Sequence, residues 1–445
     1  MKNWFYSVAN RRDKCTMLPF LTPKRKFRLM SFVGTTKTPP QARSLIRNRT
    51  DVVVTSSRIP ELDGLRGMAI LLVLLFHYVS GQGVWMDAAP GPAQGTLLFY
   101  FQRLFGMGWA GVDLFFVLSG FLIGGILLDA RTSQRYFGTF YARRFYRIIP
   151  LYYLWIGIYF FLIFMPLRGL PESLSSNPEK WSAAPIYFLF LQNSVKILHG
   201  NLGTAWLGGL WSLAVEEQFY LLIPLAVRFL PQRKVVPLMC LAVVGAPLAR
   251  LLVSHLAPQH AAAPYVLTPC RVDALAMGVI LAVGWRKEEW KVRFLRYRRP
   301  VFAVCALLLI GVAYLALWRP SQYSEPMITL GFSCIDALCA SLLAIAIMFP
   351  SGLWASVCRW PFLLELGRIS FCLYIIHAAV NLMCHEFLLG TSPRFMDRRS
   401  IGVTILAAAL AFGLARLSWI FFERPLLRKG HAYQYFPQPP PRPLA

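Results

Sequence analysis

Acidic residues are scarce in this 445-residue chain: 20 Asp and Glu stand against 46 Lys and Arg, leaving a formal charge of +26. In a soluble protein that balance would suggest a nucleic-acid partner. The chain also lacks the polar surface of a soluble protein, being 56% hydrophobic and only 15% charged. The basic excess is therefore read as Lys and Arg held on the cytoplasmic side of a membrane, with no nucleic acid as partner. Paired cysteines are missing as well. Nine occur singly, at 15, 240, 270, 305, 334, 339, 358, 372 and 384, with neither a CxxC pair nor a His/Cys ligand spacing, which argues against a disulfide framework and against a bound metal. A secretory signal is absent too: residues 1–58 hold thirteen Lys and Arg, two acids and no continuous apolar stretch. This segment reads as a disordered basic cytoplasmic tail, with a transit peptide or an early start codon as the alternatives.

Long apolar runs are what the chain does have. Crossing the hydrocarbon core as a helix takes roughly 20 apolar residues, and ten stretches qualify: 63–83, 109–130, 148–166, 210–230, 235–256, 270–286, 300–318, 327–349, 365–389 and 401–422. The predicted fold class is an all-α polytopic bundle. The positive-inside rule places both termini and the basic segments "RTSQRYFGTFYARRFYR" and "RKEEWKVRFLRYRR" in the cytoplasm. The segment "IYFLFLQNSVKIL" (186–198) is too short to span and would invert the following loop, so it is expected to be re-entrant or interfacial on the outer side. A membrane domain over 59–430 and a Pro-rich C-terminal tail over 431–445 complete the organisation.

Ionisable residues inside the spans are costly and rarely face lipid. In "PELDGLRGMAILLVLLFHY", Arg66 and His77 are eleven residues apart, about 20° from eclipsed and roughly 16 Å apart along a helix axis, so they share one face. A packing histidine satisfied by a neighbour's carbonyl is the competing reading. Asp113 sits one turn into "GWAGVDLFFVLSGFLIGGILL", ahead of Gly120 and Gly124; it is either a helix cap before a packing groove or a functional group. "WSLAVEEQFYLLIPL" puts Ser212, Glu216 and Tyr220 at i, i+4 and i+8, which turns Glu216 into the protein. His377 lies at a depth similar to that of His77. By this reading Asp113, Glu216, His77 and His377 converge from four helices in the outer half of the membrane. Arg143, Arg144 and Arg147, in "YARRFYRIIP", sit just before a span at the inner face. They either anchor the helix against lipid phosphate or grip a nucleotide-like phosphate donor.

Seven motifs in order, "PELDGLRGMAILLVLLFH", "GVDLFFVLSGFLI", "YARRFYRIIPLYYL", "WSLAVEEQFYLLIP", "RVDALAMGVILA", "ISFCLYIIHAAV" and "FFERPL", resemble the acyltransferase 3 family of integral-membrane O-acyltransferases over residues 58–430. The resemblance implies transfer of an acyl group, usually acetyl, from cytoplasmic acyl-CoA to a hydroxyl of a carbohydrate or lipid-linked glycan acceptor, at a bacterial plasma membrane. The family's arginine-to-histidine motif falls on Arg66 and His77, its arginine pair on Arg144 and Arg147 with Arg143 adjacent, and its glutamate on Glu216. Near His377 the chain departs from the pattern, with Phe371 where relatives have tyrosine and Ala379 where they have proline. The sequence is not expected to carry the extracellular SGNH domain of some relatives, and acceptor selectivity is then expected of the membrane part and its outer loops. On this reading His77 is the base, Glu216 or Asp113 orients it, His377 assists, and Arg66, Arg143, Arg144 and Arg147 hold acetyl-CoA. The rival function is a proton-coupled secondary transporter built on the same buried groups.

Overall fold

In hydrocarbon only helices and closed barrels satisfy every backbone N–H and C=O, and the apolar runs fold accordingly. The computed structural model describes residues 59–80, 95–164, 184–194, 206–318 and 322–436, which form helices and turns with no strand among them. Among the described residues ten helices are long and apolar enough to cross a bilayer: α1 Pro60–Ser80, α2 Leu97–Asp129, α3 Tyr136–Phe164, α4 Gly208–Phe229, α5 Gln232–Leu256, α6 Ala263–Trp285, α7 Arg298–Leu317, α8 Met327–Met348, α9 Pro361–Leu389 and α10 Arg398–His431. Every expected span has its counterpart. Residues 1–58 and 437–445, the expected basic tail and most of the Pro-rich one, lie outside the described residues.

The differences fall at helix ends. Helix α3 starts at Tyr136, ahead of the expected span, so one continuous helix carries Arg143, Arg144 and Arg147 into the apolar run. Helix α10 continues through a π-helical turn, Trp419–Glu423, into Arg424–His431. Arginine favours helix, but its charge ends a hydropathy window, so the apolar run stops before the backbone does.

Apolar lipid tails give helices no hydrophobic reason to associate, and close backbone approach takes over. Helix α1 packs along α9 and α2 along α6. At Gly67 a Cβ would lie 1.9 Å from the Leu363 carbonyl oxygen, at Gly120 it would lie 2.0 Å from that of Leu275, and at Gly278 it would lie 2.2 Å from that of Val117. Only glycine permits these contacts. Helices α5, α7 and α10 are peripheral, with 22%, 6% and 17% of their apolar windows buried.

The described part of the segment expected to be re-entrant is a short helix, Ala184–Phe188, with a turn beyond it, and residues 195–198 lie outside the described residues. Side chains of the spans satisfy its irregular backbone: Tyr152 and Tyr153 donate to the carbonyls of Tyr187 (2.9 Å) and Phe188 (2.8 Å), and Gln218 donates to that of Phe190 (2.8 Å). Non-helical backbone at membrane depth needs such partners.

A buried charge network joins α5, α6 and α8. Arg250, fully buried, donates to Asp273 at 2.9 Å, to the carbonyls of Ile328 and Cys270 at 2.7 Å each, and to Ser333 at 2.7 Å. Removing one partner of a buried, hydrogen-bonded pair leaves an uncompensated charge and costs about 3–5 kcal/mol, whereas an apolar pair of similar volume can be tolerated. Arg250→Ala should therefore lower the thermal midpoint of the detergent-purified protein sharply, while Arg250→Met combined with Asp273→Leu should recover most of the loss.

Candidate active site

A cavity of about 150 Å³ lies between α1, α2, α3, α4 and α9. Its polar lining comprises Arg66, Ser119, Arg144, Arg147, Ser212, Glu216, Tyr220, Ser370 and Tyr374, and its apolar lining includes Phe115, Phe116 and Phe371. Helical spacing produces this selection. Arg144 and Arg147 are three residues apart on α3 and share a face, whereas Arg143 is turned about 100° away from Arg144. Accordingly Arg143 does not line the cavity: its Nε donates to the Tyr433 carbonyl at 2.9 Å and its guanidinium stands 5.0 Å from the centre of the Tyr435 ring. Arg66 pairs with Asp63 at 3.3 Å. Among the described residues neither Arg144 nor Arg147 has a carboxylate within ion-pair distance, although Arg144 rests over the Tyr220 ring at 5.9 Å. Guanidinium groups facing an internal cavity can donate two hydrogen bonds to an anion.

Glu216 meets the arginine side of this cavity, not the histidines. Its carboxylate accepts from Ser119 (2.9 Å) and Tyr220 (3.0 Å), and Arg144 and Arg147 lie within electrostatic reach. The i, i+4, i+8 stripe on α4 is thus aimed inward as the spacing indicates, and the neighbouring Glu217 is absent from the lining. Ser119 and Tyr374 carried no sequence signal strong enough to single them out: each is one polar residue in an apolar run, and only the assembled bundle sets it on the cavity.

The two histidines meet directly. His377 Nε2 and His77 Nδ1 are 3.3 Å apart, with ring centres 4.9 Å apart. His377 Nδ1 is 2.7 Å from the Tyr374 carbonyl, an acceptor, so in the neutral ring this nitrogen bears the proton and Nε2 carries a lone pair. His77 Nδ1 faces that lone pair and the Val73 carbonyl at 2.9 Å. Both neighbours accept, so the neutral His77 has its proton on Nδ1 and a free lone pair on Nε2. Tyr78 on α1 adds a bond from its hydroxyl to the His377 carbonyl at 2.9 Å. Neither ring lines the cavity, but Tyr374, one turn before His377, does, with its hydroxyl 2.6 Å from Ser212 and donating to the Gly209 carbonyl at 3.1 Å.

Two expected contacts are not formed. Among the described residues no carboxylate orients His77; the Val73 carbonyl and His377 take that place. Asp113 is fully buried, ion-paired to Arg271 of α6 and off the cavity lining. The Arg271 guanidinium also stands over the Phe332 ring at 4.3 Å, and the Asp336 carboxyl of α8 lies within hydrogen-bonding reach of Asp113. The rotation of α2, fixed by its glycine contact with α6, turns the Asp113 side chain toward Arg271.

The acyltransferase 3 family model, an acyltransferase domain, matches residues 59–422. The O-acetyltransferase OatA of Staphylococcus aureus is 26% identical over 410 residues, covering 88% of this chain and 61% of the relative. The peptidoglycan O-acetyltransferase OatA of Listeria monocytogenes is 27% identical over 381 residues, covering 84% of this chain and 56% of the relative. The chain thus spans less than two thirds of the length of these relatives. No solved structure matches it significantly. The seven ordered motifs, the ten spans and a family match running from the first helix into the last have one explanation: this multi-pass membrane protein belongs to the acyltransferase 3 family.

Proposed function

We propose that this protein is a membrane O-acetyltransferase that moves an acetyl group from acetyl-CoA to a hydroxyl of a glycan, the acceptor class named for the Listeria relative. One observation carries the reading: Arg144 and Arg147, without carboxylate partners, face the same cavity as Glu216 and Tyr374, and Tyr374 leads to the paired histidines. The chemistry needs an anion clamp at one end and a proton acceptor at the other. Arg66, Arg144 and Arg147 bind the donor's phosphates; roughly 16 Å of helix separates Arg66 from His77, a span for the extended pantetheine arm. By the positive-inside rule the arginine end is cytoplasmic and the histidine end outward.

His77 Nε2 takes the acceptor's hydroxyl proton as the oxygen attacks the thioester carbonyl. The tetrahedral intermediate collapses, the C–S bond breaks, and the leaving thiolate recovers the proton from the imidazolium, giving the ester and free CoA. His377 and the Val73 carbonyl hold the base in its tautomer, the task a carboxylate performs in many triads. Glu216 holds Tyr220 and Ser119 on the cavity wall and balances the arginines. The family match gives no support to the transporter reading.

The test is free-thiol release by the purified protein given acetyl-CoA and a glycan fragment. Acceptor-dependent release of CoA, with one acetyl group gained by the glycan in mass spectrometry, is the expected result. An acetyl-CoA pool that stays intact under every acceptor tried would overturn the assignment, because a transporter frees no CoA.

A further inference from the structure

Past the end of α10 the described residues stay against the bundle. Residues 432–436 turn back onto the start of α3, where Ser133 donates to the Tyr435 carbonyl (2.6 Å), Thr139 to that of Gln434 (3.2 Å) and Arg143 to that of Tyr433 (2.9 Å). Three side-chain bonds to three successive carbonyls hold a segment that has no helix or strand of its own. The fit is close, since a Cβ at Gly430 would sit 3.1 Å from the Tyr146 side chain. Two consequences follow for chemistry. Of the nitrogens of Arg143 only Nε has a hydrogen bond among the described residues, so its two terminal nitrogens keep donors for an anion. Beside it the Tyr433 ring is 46% exposed and in contact with Tyr146, their centres 6.1 Å apart. Arg143 adjoins Arg144 in the chain, and Arg144 lines the cavity; Tyr435 lies within electrostatic reach of both.

An exposed aromatic face beside a guanidinium with spare donors matches the two chemistries of a nucleotide end, a flat base and a phosphate. We propose that the 432–436 strap is the nucleotide platform of the donor site, with Tyr433 stacking the adenine and Arg143 binding phosphate on the adenosine. This rests on the acyl-CoA reading above, and it gives Arg143, off the cavity, a task that Arg144 and Arg147 cannot perform. Aromatic side chains also settle at membrane interfaces for lipid reasons alone, and the experiment separates the two.

The measurement is kcat/KM of the full-length protein for acetyl-CoA and for S-acetyl-phosphopantetheine, which keeps the thioester arm and lacks the adenosine. Stacking a base on an aromatic ring is worth about 1–3 kcal/mol, or roughly 5- to 150-fold. Tyr433→Ala should therefore reduce the preference for acetyl-CoA over the truncated donor by roughly 5- to 150-fold, and Tyr433→Phe, which keeps the ring, should restore it. An unchanged preference in Tyr433→Ala, including one in which both donors slow in parallel, overturns the proposal and leaves the tyrosine an interfacial or structural residue. So does a Phe variant that behaves like Ala. Parent protein that releases no CoA from either donor removes the donor reading itself, and the platform with it.

Discussion

Acetyl transfer by His77→Ala protein is expected to fall by about 10²- to 10⁴-fold, the range supplied by one positioned general base. KM for acetyl-CoA should stay near the parent value, because His77 is roughly 16 Å of helix away from Arg66 and the phosphate clamp. Stopped-assay CoA release at saturating donor measures it. The partner ring gives a graded companion. In the proposed mechanism His377 acts through His77, its Nε2 lying 3.3 Å from His77 Nδ1, so His377→Ala should lower kcat less than His77→Ala does, and the double variant should be no worse than His77→Ala alone. Residues acting as one unit show such non-additivity. Equal and independent losses would mean that the rings do separate jobs. Parent-level transfer by His77→Ala would remove the base assignment altogether.

The second large effect is at the other end of the cavity. Each charge-assisted hydrogen bond to phosphate is worth about 1.5–3 kcal/mol, so Arg144→Ala and Arg147→Ala should each weaken acetyl-CoA affinity by roughly 10- to 150-fold, read as KM or by calorimetric titration, and the double variant should lose more than either. Arg144→Lys should recover only part, since an ammonium keeps the charge but not the two-pronged geometry. Neither arginine forms an ion pair among the described residues, and Glu216, the carboxylate within their electrostatic reach, keeps its bonds from Ser119 and Tyr220, so the fold should survive. This separates them from Arg250, whose removal is a stability experiment because Asp273 would be left buried and unpaired. Unchanged donor affinity in the Arg144→Ala, Arg147→Ala double variant would exclude the clamp.

The contrast between Glu216 and Asp113 shows how far linear reasoning reaches. Both are acids within apolar spans, and both are expected from the sequence to orient His77. Glu216 belongs to a stripe with Ser212 and Tyr220 on its own helix, and an internal stripe reports its own direction: Glu216, Ser212 and Tyr220 all line the cavity. Asp113 is alone on its turn. Its partner, Arg271, is 158 residues away on α6, and nothing local distinguishes an acid that ends in an ion pair from one that ends in a site. The arginine trio divides the same way. Spacing of three puts Arg144 and Arg147 together, while the destination of Arg143 depends on residues 433–435 returning from the far end of the chain.

Local sequence sufficed for the count of ten spans, because bilayer thickness demands about 20 apolar residues per helix and hydrogen bonds within each helix satisfy its backbone. It also sufficed for which polar residues share a helix face, since 3.6 residues per turn is a property of the chain alone. Tertiary structure alone decided how far each helix is rotated about its axis, and so that His77 meets His377, Glu216 meets Ser119, and Asp113 meets Arg271. That rotation is set by backbone approach at Gly67, Gly120 and Gly278. In lipid the packing of one surface against another replaces the hydrophobic pattern that would orient a helix in water.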